Sequence, residues 1–124
     1  MSDWKNNDIL QSNFKTFDEK NCQQILKLEY DIEWDHNGFE VAILKLRLLY
    51  SHKDTKKYVD MKFYGLESLK IDGGLFPFLQ VMGFQIINQR EYGLEKVYEI
   101  SDYEDGNIYF TCDDIEVIGV SNLE

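Results

Sequence analysis

Residues 25–35 read Ile-Leu-Lys-Leu-Glu-Tyr-Asp-Ile-Glu-Trp-Asp, and apolar and charged side chains alternate from Leu26 to Asp35. Successive side chains of a β-strand point to opposite faces of the sheet. The alternation therefore predicts a strand with one buried face. That face would consist of Leu26, Leu28, Tyr30, Ile32 and Trp34, and the opposite face of Lys27, Glu29, Asp31, Glu33 and Asp35.

A second apolar run, residues 39–50, follows the dipeptide Asn37-Gly38, and the two runs together predict a β-hairpin. Aligning their apolar faces leaves a three-residue loop, Asn37-Gly38-Phe39, in which glycine can adopt positive φ. A slip by one residue would place carboxylates against leucines, so the pattern favours one register. The predicted pairs are Trp34–Ala42, Ile32–Leu44, Tyr30–Leu46, Leu28–Leu48, Asp31–Lys45 and Glu29–Arg47.

Shorter alternating runs predict further strands at residues 58–64, 68–72, 84–90, 96–103, 107–112 and 115–120. Pro77 argues against a central strand in residues 75–82, which we expect to form a loop or one helical turn. We expect a mainly β fold: an antiparallel sandwich or flattened barrel of eight or nine strands, with a short N-terminal helix reaching about Leu10. The alternative is α+β, with that helix on one curved sheet. The length of 124 residues predicts a single domain, residues 1–124.

The net charge of −10 is unevenly distributed along the chain. Residues 1–62 hold 10 basic and 11 acidic side chains, whereas residues 63–124 hold 3 and 12, a net charge of −9. Nucleic acids and anionic membranes require lysine and arginine, so we expect neither as a partner. A basic protein partner is compatible with this charge through long-range attraction. The alternative is that the acidic surface only maintains solubility.

The sequence also bears on the cellular compartment. No run approaches the roughly 20 apolar residues of a membrane helix, and the first residues lack the apolar segment of a signal peptide. Cys22 and Cys112 lie far apart and lack CxxC spacing. We therefore expect a cytoplasmic protein whose two thiols are reduced and structural.

Catalytic and metal-binding patterns are missing from the sequence. His36 and His52 are expected in loops, and neither has a histidine or cysteine at zinc-ligand spacing. Cys112 precedes Asp113 and Asp114, whose charges would raise the thiol pKa and disfavour a nucleophile. Nucleophile elbows, phosphate loops and dinucleotide fingerprints are absent, and residues 102–107 lack EF-hand spacing. We expect a protein that is not an enzyme, with no cofactor and no metal.

Carboxylates are the remaining candidates for a functional site. Those of the first strand face Lys45 and Arg47 and are expected to form a balanced, solvated surface. The acids of the later half would lie at both ends of a hairpin formed by residues 96–103 and 107–112, with few cations nearby. The candidate residues for binding a protein partner are Glu99, Asp102, Glu104, Asp105, Asp113, Asp114 and Glu116.

The segments 63–71 and 108–117 resemble those of small, acidic, β-rich immunity proteins from bacterial polymorphic toxin systems. This resemblance implies a cytoplasmic inhibitor that binds a cationic, nuclease-like toxin by protein–protein contact. Aromatic anchors would supply the affinity, and carboxylates would supply the association rate and the specificity. Two alternatives remain. A structural or oligomerising module would show a large exposed apolar face. A small-molecule binder would show a pocket that joins tyrosine, tryptophan and two unpaired carboxylates.

Overall fold

The computed structural model describes residues 4–72, 79–89, 97–104 and 106–123. Within these ranges the fold is mainly β, as predicted, with nine strands and two short helices. The helices are α1 (Asp8–Asn13) and a 3-10 helix (Glu19–Asn21). The strands are β1 (Cys22–Trp34), β2 (Glu40–His52), β3 (Thr55–Tyr64), β4 (Glu67–Ile71), β5 (Leu79–Gln80), β6 (Phe84–Asn88), β7 (Tyr98–Asp102), β8 (Ile108–Cys112) and β9 (Asp114–Asn122).

The strands form two antiparallel sheets that do not close into a barrel. Sheet A has the order β5-β1-β2-β3-β9, and sheet B has the order β4-β8-β7-β6. The eight predicted strands are all present, although residues 90 and 96, at the predicted strand ends, lie outside the described ranges. We expected residues 75–82 to form a loop or one helical turn. This was wrong for Leu79–Gln80, which form β5 and pair with Gln24 and Ile25 of β1. Residues 73–78 lie outside the described residues.

The core lies between the two sheets. Phe63 of sheet A and Phe110 of sheet B meet edge to face, with their ring centroids 5.0 Å apart. Both side chains are fully buried, as predicted from the alternation of their strands. Near one end of sheet A, Phe14 and Phe17 pack on the Tyr50 ring at centroid distances of 4.5 and 5.3 Å. These aromatic contacts attach the N-terminal segment to the sandwich.

The N-terminal helix begins later than the sequence suggested. We expected it to end near Leu10, but it spans Asp8–Asn13 and has Asn7 at its N-cap position. Trp4 and Leu10 are nevertheless buried in the core. Among the described residues, no helix has the length and apolar character that crossing a membrane requires. Cys22 and Cys112 are buried free thiols, as predicted.

The predicted register of the first hairpin was wrong by two residues. Trp34 lies opposite Glu40 rather than Ala42, and Ile32 lies opposite Ala42. A shift of two keeps every side chain on its predicted face, so the alternation could not distinguish the two registers. It also changes the expected ion pairs: Lys45 lies opposite Glu29, and Arg47 lies opposite Lys27.

Arg47 instead binds a carboxylate on the next strand. Its Nε and Nη2 atoms donate to the two carboxylate oxygens of Asp60 at 2.8 and 3.0 Å. The Arg47 side chain also lies over the Tyr58 ring, 5.2 Å from its centroid. Since each of these partners belongs to β3, the arginine reinforces the β2–β3 pairing rather than the first hairpin.

The predicted buried face of β1 is largely exposed. Leu28 is half-buried, but the side chains of Tyr30 and Trp34 are 58% and 64% exposed. The reason is a difference in strand length. β1 and β2 each contain 13 residues and extend about 43 Å, whereas β7 and β8 of sheet B contain five and extend about 17 Å. The end of the first hairpin therefore projects beyond the sheet that covers the rest of sheet A.

Candidate functional site

A cleft lies where the first hairpin, the end of β3 and the passage from β8 to β9 meet. Its volume is about 560 Å³. Three aspartates from two distant parts of the chain line it, together with one lysine and several uncharged residues. The lining residues are Lys5, Asp35, Val41, Tyr64, Gly65, Asp113, Asp114 and Ile115.

Asp113 and Asp114 enter this cleft because the chain changes sheets at this point. β8 belongs to sheet B and β9 to sheet A, so Asp113 is the single residue between them. The Asp113 amide donates to the Tyr64 carbonyl at 2.8 Å, which ties this corner to the end of β3. Asp114 lies opposite Tyr64 in the β3–β9 ladder and is exposed.

Gly65 shapes the floor of the cleft. Its φ of +73° is a left-handed conformation that glycine adopts without strain. Its α-carbon also lies directly against the Asp113 carboxylate, where a β-carbon would collide. The Gly65 amide donates to the Ala42 carbonyl at 2.9 Å. A glycine at this position thus lets the Asp113 side chain lie across the end of β3.

Asp35 enters the cleft from the first hairpin loop. One of its carboxylate oxygens accepts hydrogen bonds from the amides of Asn37 and Phe39, each at 2.9 Å. Gly38 completes the turn with a φ of +83°. Carboxylates that bind nearby backbone amides in this way are typical of tight loops. The same bonds hold the Asp35 carboxylate in one place and explain why the loop spans residues 35–39.

Tyr64 and its neighbours form a hydrogen-bonded network beside the cleft. The Tyr64 hydroxyl donates to Glu116, and the Asn6 side chain donates to the same carboxylate at 3.1 Å. Burial and then the bond to Glu116 raise the pKa of Tyr64, so the phenol stays protonated at neutral pH. The Lys62 ammonium lies 4.8 Å from the Tyr64 ring centroid and 2.9 Å from the Glu33 carboxylate.

Lys62 keeps its charge within this network. Burial lowers its pKa, but hydrogen bonds to Glu33 and Tyr64 outweigh that effect and raise the pKa above its ordinary value. The acids around Tyr64 therefore differ in character. Glu33 is neutralised by Lys62, whereas Asp114 is exposed and has no ion pair among the described residues.

A second cleft of about 430 Å³ adjoins the first. The two share Lys5, Asp35, Val41 and Tyr64, and the second adds Glu33, Trp34, His36 and Ile43. Together they form a continuous depression that joins a tyrosine, a tryptophan and several carboxylates. A small-molecule binder was expected to join tyrosine and tryptophan with two unpaired carboxylates, but here Glu33 is paired with Lys62 and Asp35 accepts two backbone amides.

The structure brings together three of the predicted binding residues. Asp113, Asp114 and Glu116 lie at the β8–β9 corner, near Tyr64. Glu99 lies on β7, opposite Thr111, and accepts a hydrogen bond from the Tyr109 hydroxyl at 2.9 Å. That bond, and then burial, raise the pKa of Tyr109.

The other predicted residues lie elsewhere. Asp102 is fully buried, and one carboxylate oxygen accepts from the Ile108 amide at 2.9 Å, so its side chain supports the β7–β8 turn instead of facing a partner. Glu104 is exposed in that turn, at the opposite end of the hairpin and about 17 Å from the β8–β9 corner. Asp105 lies outside the described residues.

Sequence reasoning missed Asp35, Lys5 and Tyr64 as members of the site. Asp35 was assigned to the solvated strand face, although an aspartate two residues before Asn-Gly is a recognisable loop-capping pattern. Tyr64 and Lys5 carry no comparable signal, because they reach the cleft through contacts between distant segments. In the described part of the chain, no group of three or more His, Cys, Asp or Glu residues has a geometry that could hold a metal ion.

No protein-family model, curated protein or solved structure has significant similarity to this chain.

Proposed function

We propose that this chain is a non-enzymatic binding protein that docks a basic surface of another protein at the acidic cleft. The observation that supports this most directly is the convergence of Asp35, Asp113 and Asp114 from the first hairpin and the β8–β9 corner. Lys5 is the sole basic residue among the described residues that line the cleft. Such a concentration of one sign of charge attracts a complementary partner and suppresses others.

Aromatic side chains near the cleft would supply affinity. Phe39 in the hairpin loop is 70% exposed, and Trp34 at the end of β1 is also exposed. Exposed aromatic residues beside a charged surface are frequent anchors in protein interfaces, where they carry much of the binding energy. The carboxylates would then accelerate encounter and select a cationic partner.

Within this proposal, the specific role that fits the resemblance of residues 63–71 and 108–117 is that of an immunity protein. It would occupy the cationic, substrate-binding surface of a nuclease-like toxin. An acidic protein can compete there because such a surface is built to bind phosphates. Inhibition would need no catalytic residue, cofactor or metal.

The test compares the proteins retained by immobilised wild-type protein and by two double variants in lysate of the producing cells. Asp35→Asn with Asp114→Asn removes two accessible charges from the cleft. Asp54→Asn with Glu104→Gln removes two exposed charges at the far ends of the sheets. We expect one basic partner that is retained at low salt, released at high salt, and lost only with the cleft variant. Retention by the cleft variant would contradict the proposal.

A second candidate function is the binding of a small organic cation. The joined clefts carry the Tyr64 and Trp34 side chains together with Asp35 and Asp114, and aromatic faces and carboxylates both attract cations. Titration with a diamine, followed by calorimetry, distinguishes the candidates. Saturable binding that Asp35→Asn weakens would favour the small ligand, and absence of heat would leave the protein partner as the better proposal.

A further inference from the structure

Sheet A has one long edge that no described strand covers. β5 pairs with β1 only at Gln24 and Ile25, so the remainder of β1 has a partner on one side alone, β2. The register shifts of β1 all precede residue 27, and residues 27–34 pair with β2 without a bulge. This part of the strand is about 26 Å long and contains no proline.

The other sheet edges are obstructed in the described residues. On β9, the backbone carbonyl of Lys5 accepts from the Val117 amide, and the backbone amide of Lys5 donates to the Ile115 carbonyl, each at 2.9 Å. On β6, the Ile86 amide donates to the Glu19 carboxylate at 3.2 Å. β4 is interrupted by a register shift and by Ser68, whose φ is +60°. Proteins usually block their sheet edges in such ways because an open edge recruits other strands.

The backbone groups of the open edge can be assigned from the ladder. The Ala42 carbonyl accepts from the Gly65 and Leu66 amides at 2.9 and 3.1 Å, so the polar groups of Ala42 face β3. Ile32, which lies opposite Ala42, must then direct its own amide and carbonyl away from β2. The same alternation turns the backbone groups of Leu28, Tyr30 and Trp34 outward.

The two faces beside this edge differ in chemistry. Tyr30 and Trp34 are exposed and lie on the face that includes the half-buried Leu28. Glu29 and Asp31 are exposed on the other face. Asp31 also accepts the outward Ile32 amide at 2.8 Å, so one of the outward donors is shielded by a carboxylate. An added strand would meet apolar side chains on one face. On the other it would meet Asp31 and Glu29, and Glu29 is ion-paired with Lys27 at 3.8 Å, so the exposed carboxylates of this face outnumber its one exposed lysine.

A second copy of this chain fits the edge poorly. Antiparallel pairing about a two-fold axis at Tyr30 would place Glu29 opposite Asp31 twice. The two Lys27–Glu33 pairs of that register would have to compete with the ion pair that Glu33 already forms with Lys62 at 2.9 Å. An axis at Glu29 or at Asp31 would place that acid opposite its own copy. Like charges directly opposite each other destabilise a strand pair. An axis at Leu28 relieves this repulsion, but residues beyond Tyr30 would then meet the part of β1 that already pairs with β5.

We propose that residues 27–34 of β1 bind, by strand addition, an extended segment of another protein in which lysine or arginine alternates with apolar residues. The apolar residues would lie beside Tyr30 and Trp34, and the basic residues beside Glu29 and Asp31. Main-chain hydrogen bonds to the outward backbone groups would supply affinity, as in other cases of strand addition. This surface shares Glu33 and Trp34 with the joined clefts, but its backbone hydrogen bonds would run along β1 and involve none of Asp35, Asp113 and Asp114.

The probe is a synthetic seven-residue peptide that alternates lysine with isoleucine. We expect saturable, salt-sensitive binding, with a change in the fluorescence of exposed Trp34 while buried Trp4 stays unchanged. The amides of Leu28 and Tyr30 should become protected from hydrogen exchange. A peptide with alternate residues N-methylated keeps charge and apolarity but loses its hydrogen bonds, and it should bind about tenfold more weakly or worse. Equal binding of both peptides would overturn the proposal.

Two variants complete the test. Tyr30→Pro removes an outward amide while sparing the ladder to β2, and it should reduce binding about tenfold. Glu29→Lys with Asp31→Lys leaves the backbone intact and should shift the preference to a peptide that alternates glutamate with isoleucine. A failure of this shift, or sedimentation of the wild-type protein as a dimer that Tyr30→Pro dissociates, would overturn the proposal. If Asp35→Asn with Asp114→Asn abolished binding of the lysine–isoleucine peptide and Tyr30→Pro did not, the cleft would be the docking surface and the strand edge would not.

Discussion

The Tyr64 hydroxyl donates a hydrogen bond to the Glu116 carboxylate and so joins β3 to β9 beside the acidic cleft. Tyr64→Phe removes this bond and leaves the carboxylate with the Asn6 side chain as its remaining donor among the described residues. We expect the free energy of unfolding to fall by about 1.5–3 kcal/mol, the range for a hydrogen bond to a charged group. Urea unfolding at pH 7 measures this change.

The same bond predicts a pH dependence. The folded state raises the pKa of Tyr64 above its ordinary value near 10, so its contribution is complete below that pH and declines as the pH rises further. Tyr64→Phe should therefore lose less stability than the wild type as the pH rises above about 10. Tyr30→Phe is the control, because Tyr30 is exposed. This substitution should alter neither the free energy of unfolding at pH 7 nor its decline at alkaline pH. An unchanged alkaline slope in Tyr64→Phe would contradict the assignment.

Gly65→Ala should destabilise the protein through two separate effects. The φ of +73° is unfavourable for alanine by about 1 kcal/mol, and the new β-carbon would collide with the Asp113 carboxylate. The carboxylate must then move, which disturbs the β8–β9 corner and the cleft. We expect a total loss of about 2–3 kcal/mol in chemical unfolding.

Gly38→Ala separates these effects. Gly38 has a similar φ of +83°, but nothing lies within 4 Å of the position of a new β-carbon. This variant should lose only the backbone contribution of about 1 kcal/mol. Equal losses in the two glycine variants would mean that the contact between Gly65 and Asp113 has no energetic importance.

The first hairpin shows how far alternation reaches as a predictor. The period of two identified the strands and the two faces of residues 27–34, because that period is a property of any extended chain. It placed Leu26 wrongly on the buried face, because the ladder is irregular between Ile25 and Lys27, and Ile25 is buried while Leu26 is 43% exposed. It could not fix the register, since a shift of two residues preserves every face. The loop decided the register, through the amides that Asp35 binds at Asn37 and Phe39.

Burial was harder to predict than strand position. Tyr30 and Trp34 follow the pattern of a buried face, yet both are exposed because the shorter strands of sheet B do not reach them. The relative lengths of two packed sheets are not encoded in either strand alone. Asp102 shows the opposite error: an aspartate in an acidic turn was expected at the surface but is fully buried beneath that turn.

The two cysteines should be unreactive in the folded protein. Both are fully buried, and burial raises the pKa of the Cys22 thiol well above its ordinary value, with further contributions from Glu19 and Asp18. Because the thiolate is the reactive form, we expect no labelling by a disulfide reagent at pH 8 without denaturant and two thiols per chain in urea. Gln11→Cys, on an exposed helical position, is the positive control and should add one rapidly labelled thiol.

Asp102→Ala tests whether this residue supports the fold or a partner. Its carboxylate accepts the buried Ile108 amide, and the Gly106 amide donates to its backbone carbonyl at 2.8 Å, so the residue organises the β7–β8 turn from beneath. Alanine would leave the Ile108 amide without its acceptor and open a small cavity, at a cost of about 2–3 kcal/mol. Asp102→Asn retains an oxygen for that amide and should cost less.

Glu104→Ala, an exposed acid of the same turn, should change the free energy of unfolding by no more than about 0.5 kcal/mol. If Asp102→Ala were as stable as Glu104→Ala, the buried hydrogen bond would not be needed to hold the turn.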